Sequence, residues 1–392
     1  MRPLPRSAAI TGIGVSQIGR RLGVDGLTLA IQATLRAIAD AGLSPGKIDG
    51  LACWPGRMSD GSGSSPVGIW DLKEALGLGL SWYAGGVEGP AQLSSVLNAV
   101  LAVSSGHARH VLCFRSSTEG SARVAASSGA TDDAQPRIED ASQWLLPSNA
   151  LSLANYAALA AQRHMHRFGT TREHLAWIAL NGRRNASLNP DAIYRAPLTL
   201  DDYMAARMIS TPLSLYDCDV PVDGAIAVVV SAADAAADTR VPPIWIEAIS
   251  GALRGRALWD HWDPTDWAGI DAAHRLWSMT ELQPADIDFA QLYDGFSIVA
   301  LMWLEALGFC APGESGDFIE RGTRIARDGA LPLNTCGGQL SAGRLHGLGL
   351  LHEAVLQLRG EAAARQLPQP ARIAAVSNGA GPIGACMLLV RD

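Results

Sequence analysis

The apolar positions of this chain follow two alternating rhythms. Residues 8 to 17 (AAITGIGVSQ) form a short apolar run closing on glycines, the pattern of a buried strand. Residues 25 to 42 (DGLTLAIQATLRAIADAG) instead space their apolar side chains three and four apart between an Asp and a Gly, the pattern of an amphipathic helix with a marked start and stop. A Pro-containing turn then leads to an apolar stretch at Ile48 to Trp54. Polar and small residues at 56 to 67 (GRMSDGSGSSPV) predict a loop, an Ala-, Val- and Leu-rich helix is expected at 90 to 106, and RHVLCFR at 109 to 115 predicts a short buried strand. Residues 116 to 150 are polar and irregular. Helices are expected at 151 to 168 and 172 to 185, turns run to 221, and DGAIAVVVSAADA opens a strongly apolar strand at Asp223. Residues 232 to 241 read as a hinge, and the sum is an alternating α/β chain.

The two halves of the chain repeat each other. LSPGKIDGLACW (Leu43 to Trp54) and LQPADIDFAQLY (Leu282 to Tyr293) each give a Pro turn, an Ile-Asp pair and an apolar strand, in a register that sets Trp54 against Tyr293. Further on, Gly85-Gly86 opens a helix leading to ARHVLCF at 108 to 114, and Gly337-Gly338 opens one leading to ARIAAVS at 371 to 377. Two matches in the same order indicate a duplicated α/β unit, divided here at 1–237 and 238–392 with a loop region, 116–222, inserted in the first. Mostly parallel sheets gather strand ends and helix N-termini, where amides favour a developing negative charge. Chemistry is therefore expected in the turns at 85 to 89, 293 to 297, 334 to 346 and 377 to 382.

Composition narrows the class. With 392 residues, 48% hydrophobic and 18% charged, the chain can bury large cores without disulfides or metals and is too apolar to be disordered. A net charge of -7 with 31 Lys plus Arg speaks against a nucleic-acid surface, and no apolar run approaches the length of a membrane span. The six cysteines are scattered, without a CxxC pair or a secretory leader ahead of them, so a reduced cytoplasm is expected. No His/Cys/Asp cluster has metal-ligand spacing, so no metal is expected, and Gly12 and Gly14 supply only GxG, so NAD is not expected. The 11 Trp exceed the 6 Tyr and 6 Phe, and Trp245, Trp259, Trp262, Trp267 and Trp277 fall close together; their flat rings would suit a pocket wall, an interface or a core.

PLSLYDCDVPVDGAIAVVV (212 to 230), QLYDGFS (291 to 297), LGFCAPGESGDFIERG (307 to 322), LPLNTCGGQLSAGRLHG (331 to 347) and VSNGAGPIGACMLLV (376 to 390) occur in an order that resembles the thiolase superfamily. The resemblance covers nearly the whole chain and is nearest the lipid-transfer-protein or sterol-carrier thiolase-like branch with its steroid side-chain-cleaving aldolases. It implies a duplicated fold of two α/β units with mixed five-stranded sheets, layered αβαβα. Thiolases of this superfamily use a Cys nucleophile at a helix N-terminus, an activating His, a strand-end Asn or His for an oxyanion hole, and a second Cys as acid or base. This chain departs from that set: GGVEGPAQLSSV puts Gly89, or with slippage Glu88, at the nucleophile position. Tyr293-Asp294-Gly295-Phe296 replaces the Asn/His-Glu-Ala-Phe motif, Arg344 stands for the GHP-type His, and Ser377 holds the late Cys position. Cys113 and Cys386 read as core, and Cys336 in NTCGG does not match a catalytic cysteine. Acyl-enzyme chemistry suits this set poorly.

The resemblance implies a retro-aldol cleavage of a branched, steroid-like β-hydroxyacyl-CoA. Tyr293 is then the expected base, with Arg344 lowering its pKa or binding the enolate oxygen and His346 as a proton shuttle. Asp294 is either an acid/base or a helix cap, and Glu88 either an acid/base or a charge at a helix start. A pocket-wall Tyr, a surface Arg and a structural His are the plain alternatives. CoA enters as part of the substrate, with no tightly bound cofactor. Its contacts are expected among Arg123, Arg163, Arg183 and Arg184 and in the close-packed loop at Gly337 and Gly338. The family also implies a homodimer and a small OB-fold, zinc-ribbon partner that together form a heterotetramer. A divergent thiolase or acyltransferase and a non-catalytic acyl-CoA- or lipid-binding scaffold are the rival readings.

Overall fold

A computed structural model describes residues 6–58, 63–86, 88–122, 142–150, 152–237, 239–254 and 263–392. Strand β1 (Ala8–Val15) is buried almost throughout, and helix α1 (Gly26–Asp40) begins where the Asp25 carboxylate accepts the Thr28 N–H at 2.9 Å. Strand β2 (Gly50–Cys53) is followed by helix α2 (Ile69–Leu76) and edge strand β3 (Trp82–Gly85), which the apolar pattern does not announce. Every second side chain of β3 is exposed and the others only half-buried, so it carries no continuous apolar signature. Helix α3 (Leu93–Ser104) leads to β4 (His110–Thr118), which runs on past Arg115. The inserted region contributes helices α4 (Leu153–Phe168) and α5 (Arg172–Ala186) and the small hairpin β5 (Met208–Ser210) and β6 (Leu213–Ser214) before β7 (Asp223–Ala232). The second half holds β8 (Ile244–Leu253), α6 (Ala268–Trp277), β9 (Phe289–Gln291), α7 (Ser297–Ala306), α8 (Leu348–Arg359), β10 (Ile373–Asn378) and β11 (Ile383–Val390).

The principal strands make one nine-stranded mixed sheet in the order β3-β2-β4-β7-β1-β8-β11-β10-β9. Its seam is β1 against β8, paired only at Ala9 with Trp245 and Ile10 with Ile244. The mixed sheets of the two units join along this seam: the first unit supplies five strands and the second four among the described residues, with a single bridge between Ala290 and Leu333 at the place beside β9 that β3 holds in the first. The repeat maps β2 onto β9 and β4 onto β10, and in each unit that pair runs parallel. Gly337-Gly338 opens only a short turn of helix, Gly338–Ser341; the long helix before β10 is α8.

Both faces of the sheet are covered, which is why its strands read as unbroken apolar runs. In β7, Ile226, Val228 and Val230 enter the core shared with α3 and α8, while Ala225, Ala227 and Val229 meet α1. In β11, Met387 and Leu389 face the same central core, and Cys386 and Leu388 face α6 and α7. One helix from each half thus fills the middle layer, and their N-terminal ends border the strand ends. The described members of the Trp group serve the scaffold: Trp267 is fully buried edge-on to Trp303 at 4.8 Å, Trp277 donates to Leu307 O at 3.1 Å, and Trp245 to Asp392 Oδ2 at 2.7 Å. Trp259 and Trp262 lie outside the described residues. Among the described residues no helix is long and apolar enough to cross a membrane.

Candidate active site

The strand ends of both halves converge on a cavity of about 810 Å³. Trp54 follows β2, Tyr293 follows β9, and the register that places Cys53 opposite Phe114 carries on to bring Trp54 beside Arg115. Val111 and Cys113 point into the central core, and the two-residue alternation of β4 sends Arg115 to the same side, where it reaches the cavity. The wall has two characters. Pro55, Met58, Leu153, Leu253, Pro382 and Ile383 make an apolar part, and Arg115, Asp219, Tyr293, Arg344 and His346 a polar end.

The polar end is built around two carboxylates and two guanidinium groups. Arg344 donates through Nη1 to Asp219 at 3.0 Å and through Nη2 to Glu119, so both of its arms are occupied. The backbone fixes this: Arg344 N–H donates to Val220 O at 2.7 Å, and Asp219 N–H to Gly295 O at 3.1 Å. Glu119 also holds His346 Nε2 at 3.2 Å. Burial works against the ionised Glu119, but the hydrogen bond from His346 and the Arg344 guanidinium outweigh it and hold the carboxyl well below its usual range. An ionised carboxylate only accepts, so His346 Nε2 carries the proton and Nδ1 is left as a lone-pair acceptor. Burial first, and then the Arg115 cation, lower the pKa of His346 to about 4. The imidazole is therefore neutral at neutral pH.

His346 sits at φ 54°, a backbone conformation that a non-glycine residue adopts only when its surroundings impose it. Asn378, the last residue of β10, supplies the restraint: its Nδ2 donates to His346 O at 2.8 Å and its Oδ1 accepts the Gln92 N–H at 2.9 Å. One amide thus ties the start of α3 to the loop that carries His346.

The expected site residues separate. Tyr293, Arg344, His346 and Glu88 all line the cavity, with Glu88 exposed at its edge and apart from the polar network. Tyr293 differs from the expected base. Burial and the Asp219 carboxylate outweigh Arg344 and push the phenol above its ordinary value, so it holds its proton. Asp294 lies behind the wall, where its Oδ1 accepts the Gln339 N–H at 2.8 Å and burial raises its pKa to about 7. Gly337 and Gly338 are not at the cavity: a side chain at the first would strike Ala186 and at the second Asp294, so they are glycines for packing, which corrects their expected contact with CoA. Arg183 is corrected likewise, since its guanidinium is buried against Ser341 Oγ at 3.1 Å and stacks over Tyr194 and Tyr216. Arg163 pairs with Asp263 at 2.7 Å, Arg184 is exposed, and Arg123 lies outside the described residues. Cys113 and Cys386 are core, and Cys336 borders a separate cavity of about 70 Å³.

Glu119, Asp219 and Arg115 escaped the reading of the sequence. Two signals were available: the first carboxylate after the strand predicted at 109 to 115, and the repeat itself, which one residue beyond ARHVLCF and ARIAAVS sets Arg115 against Asn378.

Comparison with known proteins agrees with this architecture. Residues 251–390 match the family model described as thiolase C-terminal domain-like. The chain is 37% identical over 373 residues to the steroid side-chain-cleaving aldolase of Thermomonospora curvata, covering 92% of each. It is 34% identical over 365 residues to the 17-hydroxy-3-oxo-4-pregnene-20-carboxyl-CoA lyase of Mycobacterium tuberculosis, covering 91% of this chain and 92% of that one. The solved structure of an Ltp2-ChsH2(DUF35) aldolase superposes with a TM-score of 0.85 at 33% identity over 99% of both chains. With this similarity spanning the two halves and the site between them, the chain belongs to the thiolase superfamily, in the thiolase-like branch that contains the steroid side-chain-cleaving aldolases.

Proposed function

We propose that the chain is a carbon–carbon lyase that cleaves a branched, steroid-like β-hydroxyacyl-CoA by a retro-aldol reaction into a ketone or aldehyde and a shortened acyl-CoA. The observation that carries this reading is the Glu119–His346 pair at the polar end of a cavity whose described lining contains no cysteine. His346 Nδ1 takes the proton of the β-hydroxyl, whose oxygen becomes the new carbonyl. The electron pair of the breaking Cα–Cβ bond passes into the thioester as an enolate, and a proton returned to Cα completes the shortened acyl-CoA. Glu119 fixes the tautomer and ring orientation of His346, and Tyr293, which keeps its phenolic proton, is the donor facing the reacting atoms. Asp294 and the Gly337-Gly338 turn position the tyrosine segment from behind. No metal or tightly bound cofactor is needed, because the thioester itself accepts the electrons.

The apolar part of the cavity supports a polycyclic acyl group, since its volume lies within the range of about 300–1,000 Å³ found for small-molecule sites and Trp54 and Phe296 offer flat surfaces. A divergent thiolase is disfavoured because no thiol reaches the cavity among its described lining residues. The six free cysteines support a reducing, cytoplasmic setting. The open edge at β3, where Trp70 and Tyr83 are 69% and 58% exposed, supports a homodimer. The DUF35 component of the related aldolase structure supports a small partner of that kind and a heterotetramer. The test is mass spectrometry of β-hydroxyacyl-CoAs with steroidal side chains incubated with the protein, alone and co-expressed with a DUF35 partner. A ketone and a shorter acyl-CoA in equal amounts are expected; consumption of free CoA or its release by hydrolysis would refute the lyase.

A further inference from the structure

Arg115 lines the cavity and has no part in the reaction as described so far. Its side chain is 2% exposed, yet Nε and Nη1 have no hydrogen-bond partner, and Nη2 reaches only Ser64 Oγ at a long 3.4 Å. A buried guanidinium is ordinarily matched by a carboxylate, because an uncompensated charge in an apolar interior is costly. Here both carboxylates at hand, Glu119 and Asp219, are engaged by Arg344. Arg344, the sequence's candidate for holding an oxyanion, is thus held in two hydrogen-bonded ion pairs, whereas Arg115 is balanced only through space, by Glu119, and keeps N–H donors without a partner. Next to it Trp54 lines the same cavity and carries a buried indole Nε1 that also lacks an acceptor. Arg115 and Trp54, from adjacent strand ends, line the cavity together with neutral His346 and neutral Tyr293, an arrangement that receives negative charge and does not supply it.

We propose that Arg115 is a catalytic residue that binds the thioester carbonyl oxygen and stabilises the enolate formed when the carbon–carbon bond breaks. The proposal rests on the retro-aldol reading. In that reaction the thioester oxygen is the atom that gains charge: the β-hydroxyl proton goes to His346, the bonding pair moves through Cα to this oxygen, and protonation at Cα returns it. The planar, delocalised guanidinium offers directed N–H donors, which suit a planar enolate oxygen better than a point charge does.

The test uses the full chain, with its partner if one is required, as wild type, Arg115→Met and Arg115→Lys. Three quantities are measured: the thermal midpoint, steroidal β-hydroxyacyl-CoA cleavage, and exchange of the α-hydrogens of propionyl-CoA with D2O, which reads enolate formation without carbon–carbon chemistry. For Arg115→Met, kcat and exchange are expected to fall together by about 100- to 1000-fold with KM little changed, while the midpoint falls modestly, because the two carboxylates then face Arg344 alone. Arg115→Lys should fall between the two. Loss of activity that appears as a raised KM with kcat unchanged would make Arg115 a binding or scaffold residue and overturn the proposal. So would cleavage or exchange persisting at the wild-type rate in Arg115→Met. Wild-type protein that neither cleaves nor exchanges removes the retro-aldol reading and this proposal with it, whereas active wild type with an equally active Arg115→Met removes this proposal alone.

Discussion

Replacing Glu119 by Gln removes one charge and almost no volume from the site. The polar end balances Arg115 and Arg344 against Glu119 and Asp219, so the variant is left with one excess positive charge in a half-enclosed cavity. Breaking a buried ion pair from one side costs about 3–5 kcal/mol, and because Asp219 still holds Arg344 at 3.0 Å, the loss here should lie nearer about 2 kcal/mol. The catalytic effect is larger. A Gln amide can donate as well as accept, so it no longer dictates which nitrogen of His346 bears the proton, and losing that control in an acid–His pair is worth up to about 10⁴ in kcat. The 3.2 Å separation is on the long side of a hydrogen bond, so the expected fall is about 10³-fold. Burial and Arg115 would then act on His346 unopposed, and its pKa of about 4 should drop further, moving the acid limb of kcat/KM to lower pH. Stability has its own signature. Glu119 is depressed in the folded state, so its contribution is present above the unfolded carboxylate pKa and is lost as pH falls below it; Glu119→Gln should flatten that acid slope. Steady-state cleavage across the pH range and thermal melts at the same pH values provide the assay. Turnover within about threefold of wild type, or an acid limb that moves upward, would refute the tautomer argument.

Tyr293→Phe removes the protonated phenol but keeps the ring; kcat for cleavage should fall by about 10²-fold with an unchanged melting temperature, and equal kcat would exclude Tyr293 from proton donation. Asp294, raised to about 7 by burial, favours the folded state most below the unfolded carboxylate pKa and loses that contribution as pH rises toward 7. Asp294→Asn should therefore gain stability relative to wild type as pH increases across this window, read from paired melts; a constant difference would contradict the assignment. Gly338→Ala adds a methyl group against the Asp294 carboxylate at φ +61°, with an expected cost of about 2–4 kcal/mol in denaturant unfolding.

Much of the architecture was legible because it obeys local rules. The Asp25 start of α1, the apolar run of β7 and the duplicated Pro-turn-strand units each follow from spacing that any strand or helix of this burial must have. Strand β3 and the two-pair seam between β1 and β8 have no such pattern, since an exposed edge and a short contact require little apolar sequence. At the site, Tyr293, Arg344 and His346 stand in recognisable motifs, but their electrostatics depend on Asp219 and Glu119 from a polar stretch that reads as solvated loop. Burial, reinforced by Asp219, reverses the expected effect on Tyr293: a phenol anticipated as a base beside a cation becomes a proton-bearing donor, enclosed and beside an anion. Arg115 was hidden for the opposite reason. It ends an apolar strand segment, where a charged residue ordinarily marks the exit to water, and only the fold shows it closed in.

Asn378 gives this duplication a shared inheritance. A single amide side chain spans from the opening of α3 in one repeat to the backbone of His346 in the other, so the separation of the repeats at the reacting centre is set by the length of one residue. Recombination that exchanged one repeat for that of a relative would preserve each repeat's own packing and still misplace the imidazole unless that span were matched. Selection on such a protein therefore acts on the pair, and the two repeats are free to drift apart in sequence only along paths that keep this one distance.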